Sequence, residues 1–437
     1  TPRLDAFADE SVVLTQAIVN YPICSPSRAM LLTGQYPHAN GVLENCNSRS
    51  EPYGVELSEE ARCWSDVLSD RGYSLGYIGK WHLDSPRPPY VDSPNNTEQM
   101  AWNEWTPPHR RHGFDYWYAY GTMDRHDNPM YWTTDAPRDG AHRFPEWGPV
   151  HEADLAIDYI RNRDGTLRRA DEPFALMVSM NPPHMPYGLV PDRYVDHYAD
   201  LAPEDLLHRP TIPPAGERWG DYYRENIRNY YAMITGVDEQ FGRILDALHD
   251  AGLEEDTLVL FSSDHGNCLG IHDEISKNNP YAESVRIPFL LRWPGHLEPR
   301  RSELLLSTPD IAPTLLDLMG FGEDVPDQVQ GVNHAGYLTS GEGDEPTAQL
   351  YMKTPMGQPE WGRRGVRTHT HTLVVELVPG EPARFTLFHD AEDPFQLVDV
   401  AEEQPGLVRR LIQEELFPLL RRLEDPWLQA WEALQAE

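Results

Sequence analysis

Residues 23–34 read Ile-Cys-Ser-Pro-Ser-Arg-Ala-Met-Leu-Leu-Thr-Gly, and they hold the chain's most reactive side chain at a fixed distance from a cation. Cys24 is followed by Pro26 and Arg28. Ser25 and Pro26 suit the first turn of a helix that Ala29-Met30-Leu31-Leu32 would propagate. The thiol would then stand at a helix N-terminus, where unpaired amides and the helix dipole favour negative charge. That placement suits a nucleophile or an anion site. It equally suits a small buried hydrophobe, the commoner fate of an unpaired cysteine. The companions of Cys24 must decide.

Three apolar runs with strand character each end in ionisable groups. Residues 73–79 run into Lys80-Trp81-His82, residues 174–180 into Asn181-Pro182-Pro183-His184, and residues 257–262 into Ser263-Asp264-His265-Gly266. Helical patterns precede them at 58–70, 151–163 and 224–251, the last closed by Ala251-Gly252. Helix, turn and buried strand in repetition imply an α/β fold with a large mixed, mostly parallel sheet sandwiched by helices. Ligands of such sheets bind beyond the carboxyl ends of the strands, which is where all three runs place their charges.

Residues 286–293 read as a further strand and 308–319 as a helix capped by Thr308. After a turn-rich stretch, 331–345, the texture changes. Residues 363–378 and 384–389 alternate as antiparallel strands do, and 404–423 forms an amphipathic helix. The expected organisation is a catalytic α/β domain over 1–335 and a smaller C-terminal α+β subdomain over 336–437. Between 85 and 150 lies a Pro-, Trp- and His-rich insertion of little periodicity, too long for an idle loop.

Composition narrows the partners. Asp and Glu number 70 against 36 Lys and Arg, a formal net charge of −34. Only Lys80, Lys277 and Lys353 are lysines. Arginine bias fits a GC-rich genome, whereas an acidic shell adapted to salt accounts for both features. Nucleic acid and anionic membranes are excluded as partners for such a surface, and no apolar run approaches the roughly 18 residues of a membrane span. An anionic substrate is repelled at long range unless salt shortens the Debye length, to about 3 Å at 1 M, or the site is itself strongly positive. Cysteines 24, 46, 63 and 268 show no CxxC pairing, so neither a zinc site nor a disulfide framework is indicated.

Taken in order, Cys24-Ser25-Pro26-Ser27-Arg28 with Leu32-Thr33-Gly34, then Gly79-Lys80-Trp81-His82, Asn181-Pro182-Pro183-His184, Ser263-Asp264-His265-Gly266, Lys277, Arg286-Ile287-Pro288 and Leu387-Phe388-His389-Asp390, the chain resembles the type I sulfatases of the alkaline phosphatase superfamily over nearly its whole length. Two of the three lysines fall on positions of this resemblance. A site that keeps lysine in an arginine-rich chain needs a compact ammonium or a transferable proton, which guanidinium does not give.

The resemblance implies hydrolysis of sulfate monoesters, on a carbohydrate by expectation. It implies that a maturase oxidises Cys24 to formylglycine, whose hydrate attacks sulfur and later expels sulfate. By the same resemblance Arg28 holds the diol oxygens, Lys80 and Lys277 neutralise the sulfuryl group, His82 is the base for diol breakdown, and His184, with Lys277, protonates the leaving oxygen. Asp264, His265 and the hydrated side chain at 24 would ligate a divalent cation, Ca²⁺ or alternatively Mg²⁺. Members of the family are often exported.

One departure stands out. The family begins with a strand ending in two metal-ligating aspartates, whereas Thr1-Pro2-Arg3-Leu4-Asp5 resembles the segment after it. That strand is therefore expected to be missing, and the chain as given to bind metal poorly. Asp5, Asp9 and Glu10 read as solvated helix faces.

The insertion carries Trp102, Trp105, Trp117, Trp132 and Trp147, with His109-Arg110-Arg111-His112 and Asp124-Arg125-His126 among them. Such a mixture suits a sulfated sugar, and it also suits a loop packed on its own hydrophobes. Three alternatives compete: a phosphonate monoester or phosphodiester hydrolase of the same superfamily, a non-catalytic anion-binding relative, and a thiol hydrolase using Cys24 and His184.

Overall fold

In chain order the strands that carry the site are β1 (Val12–Leu14), β2 (Ser74–Lys80), β3 (Tyr116–Tyr120), β4 (Met130–Thr133), β5 (His142–Arg143), β6 (Phe174–Ser179), β7 (Val259–Ser262), β8 (Phe289–Arg292) and β9 (Arg300–Ser302), in a computed structural model that describes residues 1–436. They form two mixed sheets, ordered β5-β4-β3-β2-β6 and β7-β8-β1-β9. The parallel ladders are β3-β2-β6 and β1-β9, and the remaining pairs are antiparallel. All seven residues of β2 are buried, as expected of a strand covered on both faces.

Helices Gly148–Arg161 and Arg218–Asp250 cover β6 and β7. Ile157 and Ile160 of the first pack with Ala247 and Leu248 of the second against Phe174, Leu176 and Val259. The predicted helix at 58–70 is confined to Trp64–Asp70, because Asp66 accepts the Cys63 amide at 2.9 Å and caps the helix there.

The insertion between 85 and 150 is ordered by β3, β4 and β5. Strand β3 is Tyr-Trp-Tyr-Ala-Tyr and presents large rings on both faces, so no alternation marks it in the sequence. Trp117 stacks 5.2 Å from Tyr77 of β2. Trp117, Trp132 and Trp147 are buried in the protein's own core, and only Trp102 and Trp105 are half-exposed.

A third sheet is wholly antiparallel: β10 (Gln349–Lys353), β11 (Gly362–Arg367), β12 (Thr372–Leu377) and β13 (Arg384–Phe388). Its inner face (Leu350, Val366, Leu373, Val375) shares one apolar core with Val12 and Leu291 of the β1 sheet. The helix expected at 404–423 is broken. Pro405–Leu411 and Phe417–Arg422 flank a π turn, Ile412–Leu416, and Pro418 beside it has no amide to continue the ladder.

Candidate active site

The helix Cys24–Thr33 begins on Cys24 itself. Its start is pinned from outside: the Ser25 amide donates to Asn45 Oδ1 at 3.0 Å, and the Ser25 hydroxyl donates to the His82 carbonyl at 2.6 Å. Gly34 closes the helix in the left-handed conformation, its amide on the Met30 carbonyl at 2.9 Å.

Arg28, one turn on, ties the ends of three strands together. Its guanidinium donates to Asp264 Oδ2 at 2.8 and 3.1 Å, to the Lys80 carbonyl at 2.6 Å, and to Ser179 Oγ at 2.8 Å. Those partners lie at or just past the carboxyl ends of β7, β2 and β6. Gly79 makes the approach of β2 to β6 possible. Its φ is +100°, and a Cβ there would fall 2.3 Å from the Ser179 carbonyl oxygen.

Around the Cys24 sulfur stand His265 Nε2 at 3.3 Å and Lys80 Nζ at 3.5 Å. Burial raises the pKa of this thiol, but Lys277, Lys80 and His265 outweigh it and bring the pKa well below the ordinary value. The other three cysteines are also buried and unpaired, and burial pushes each of their thiols up, that of Cys268 to about 12. Of the four thiols, Cys24 alone is thus pushed toward the thiolate.

In each of these histidines the nitrogen that meets a carbonyl carries a proton, because a carbonyl only accepts. His265 Nδ1 donates to Gly266 O at 2.8 Å, and its Nε2 faces two acceptors, the Cys24 sulfur and, at 3.5 Å, Asp264 Oδ1. His184 Nδ1 donates to Met185 O at 2.7 Å, so its Nε2 accepts from Lys277 Nζ at 3.3 Å. His82 Nε2 donates to Cys46 O at 3.1 Å, and its Nδ1 is buried with no hydrogen-bond partner among the described residues. His82 sits at φ 58°, a strained conformation for a non-glycine residue. Burial lowers the pKa of both His82 and His184, with Lys277 and Lys80 adding to it at His184. At Asp264 burial works the other way, yet His265 and Arg28 overcome it and hold the carboxylate well below its usual range.

All eight residues singled out in the sequence belong to this one cluster. Sequence reading did not single out Ser179, which completes the Arg28 anchor, nor the part played by residues 123–126 of the insertion. There the Met123 carbonyl accepts from Asn181 Nδ2 at 2.5 Å, and His126 Nε2 donates to the His184 carbonyl at 2.7 Å. Asp124 Oδ1 lies 3.5 Å from His184 Nδ1. Arg125 is exposed and pairs with Asp127.

Ligand atoms of Cys24, Asp264 and His265 lie within 4.8 Å of one another. Asp264 Oδ2 is engaged by Arg28, which leaves Oδ1, and the Nε2 of a neutral His265, to hold a cation. One carboxylate oxygen, one imidazole and the side chain at 24 supply part of a divalent-cation shell, well short of the six to eight oxygens that Ca²⁺ takes.

The sulfatase family profile matches residues 1–321, and a profile for the C-terminal region of N-sulphoglucosamine sulphohydrolase matches residues 270–422. The endo-4-O-sulfatase of Bacteroides thetaiotaomicron is 39% identical, the match covering 98% of this chain and 86% of that protein. The ulvan-active sulfatase of Formosa agariphila is 32% identical over 91% of this chain and 71% of its own. A solved sulfatase-like chain from Bacteroides fragilis superposes with a TM-score of 0.94 at 47% identity, covering 98% of this chain and 92% of that one. The phosphonate monoester hydrolase of Agrobacterium radiobacter shares the fold, with a TM-score of 0.68 at 24% identity and coverage of 97% and 91%.

Proposed function

The chain belongs to the sulfatase family, enzymes that hydrolyse sulfate monoesters, and we propose that it acts on a sulfated carbohydrate through a formylglycine made from Cys24. The observation that carries this reading is the contrast among the cysteines. One thiol of four is surrounded by Lys80, Lys277 and His265, at the head of a helix whose Arg28 is anchored to three strand ends. The carbohydrate assignment is supported by the relatives, one named for 4-O-sulfate and one for ulvan.

In the proposed reaction a maturase oxidises Cys24 to the aldehyde with an external two-electron oxidant, the sulfur leaving as sulfide, and water adds to give a geminal diol. One diol oxygen attacks sulfur as its proton passes to water, the sulfur–ester oxygen bond breaks, and the ester oxygen leaves with a proton delivered by the His184–Lys277 pair. Lys80 and Lys277 neutralise the sulfuryl oxygens as charge shifts between them, while Arg28 fixes the diol. His82, whose Nδ1 lone pair is unpartnered, takes the proton of the second hydroxyl. The carbonyl re-forms, the bond to the sulfate oxygen breaks, and sulfate leaves. A bound divalent cation, Ca²⁺ by expectation, would be held by Asp264 and His265 and would polarise the sulfuryl oxygens.

The test begins with co-expression of the chain and a formylglycine-generating maturase, followed by mass spectrometry of the peptide containing Cys24. A loss of about 18 Da is expected, together with turnover of sulfated saccharides in preference to phosphonate and phosphodiester substrates. Unmodified thiol with anion binding alone would favour the non-catalytic relative. Phosphonate hydrolysis outrunning every sulfate would favour the superfamily alternative.

A further inference from the structure

Every polar group so far assigned to the pocket serves an anion or a cation. Asp124 fits neither role. It is a carboxylate near Cys24, Lys80 and Lys277, and among the described residues it pairs with no lysine or arginine. Its Oδ1 is buried against the His184 ring at 3.5 Å, with no hydrogen bond within ordinary distance among the described residues. The side chain as a whole is nonetheless 35% exposed.

A carboxylate cannot face a sulfuryl group at close range without repulsion, so it addresses another part of the substrate. His184 and Lys277 mark where the ester oxygen departs, and Asp124 stands against His184. It therefore lies on the side of the alcohol. A carboxylate that pairs with no lysine or arginine among the described residues, and that stands partly exposed against the His184 ring, is matched by a hydroxyl hydrogen.

Resting on the sulfatase reading above, we infer that Asp124 is a specificity-determining residue that accepts a hydrogen bond from a hydroxyl of the sugar near the sulfated carbon, so that the preferred substrate is a polyol sulfate rather than an aryl or simple alkyl sulfate. The position is held by the backbone on either side. Asn181 binds the Met123 carbonyl, and His126 binds the His184 carbonyl, so the segment bearing Asp124 is fastened to the segment bearing the proposed acid.

The test uses the matured enzyme with methyl galactoside 4-sulfate, its 3-deoxy and 6-deoxy counterparts, and 4-nitrophenyl sulfate. Wild-type protein is expected to prefer the parent sugar to one of the deoxy compounds by about 10- to 100-fold in kcat/KM, the discrimination usual when a charged acceptor loses its donor. In Asp124→Ala that preference should collapse to within about threefold, with Asp124→Asn intermediate because an amide oxygen still accepts. A purely positioning role through His184 would lower all the sugars alike and leave the preference intact, and that result overturns the assignment. Wild-type enzyme that cleaves 4-nitrophenyl sulfate and none of the sugars would instead sink the carbohydrate reading, and the role of Asp124 with it.

Discussion

The ammonium of Lys277 lies 3.3 Å from Nε2 of His184, whose other ring nitrogen is committed to the Met185 carbonyl. The proton between them has one place to go, toward whatever occupies the pocket in front of the pair. His184→Ala should therefore lower kcat/KM for a sugar sulfate by about 10²- to 10⁴-fold. The loss for 4-nitrophenyl sulfate should be much smaller, since nitrophenolate departs without a proton. Steady-state kinetics across leaving groups checks this, and equal losses on both substrates would remove the pair from the role of acid.

Glu152 gives a prediction about stability and pH. Its carboxyl is buried, accepts from Tyr131 at 3.0 Å and Tyr120 at 3.3 Å, and burial pushes its pKa up to about 8. A folded pKa above the unfolded value means the protonated form is the one the fold favours. This contribution is complete below the unfolded pKa near 4.5 and is lost progressively as pH rises toward 8. Glu152→Gln should abolish that slope and raise stability at pH 8 by on the order of 2–4 kcal/mol. Denaturant melts at pH 5 and pH 8 would show it; parallel pH dependence in the two proteins would refute it.

Arg364 and Asp425 form a bidentate pair at 2.6 and 3.0 Å with both side chains wholly buried. Asp425 also accepts the Trp427 amide at 3.0 Å, so the pair joins β11 to the last helix, Trp427–Ala436. Removing one partner strands a charge in the core. Arg364→Met or Asp425→Ala alone should cost about 3–5 kcal/mol, and the double variant Arg364→Met/Asp425→Leu should recover much of it. Thermal melts that show the double variant no better than either single one would contradict the account.

Much of the pocket could be read from the sequence because its groups sit at strand ends. Lys80, His184 and Asp264 each follow an apolar run, and a covered sheet turns such positions toward a common rim. Strand β3 could not be read in the same way, since Tyr116–Tyr120 is aromatic on both faces and shows no period of two. Ser179 was equally silent, an ordinary residue within an apolar run until Arg28 reaches it across 151 positions of sequence. Asp124 was visible only as one charge in a mixed insertion. Its meaning depends on the ring of His184 beside it, a contact that spacing alone does not encode. The tryptophans mislead in the opposite direction: Trp117, Trp132 and Trp147 suit a sugar platform by type, yet packing against neighbouring strands claims them.

The guanidinium of Arg28 rests on a carbonyl, a hydroxyl and a carboxylate drawn from three strands, whereas Asp124 arrives on a separate stretch spanning 122–128. Bond cleavage and the choice of alcohol are thus entrusted to different pieces of chain. Changing Asp124 while Met123 and His126 are kept offers a route to retarget the enzyme toward another alcohol with its sulfur chemistry left as it is.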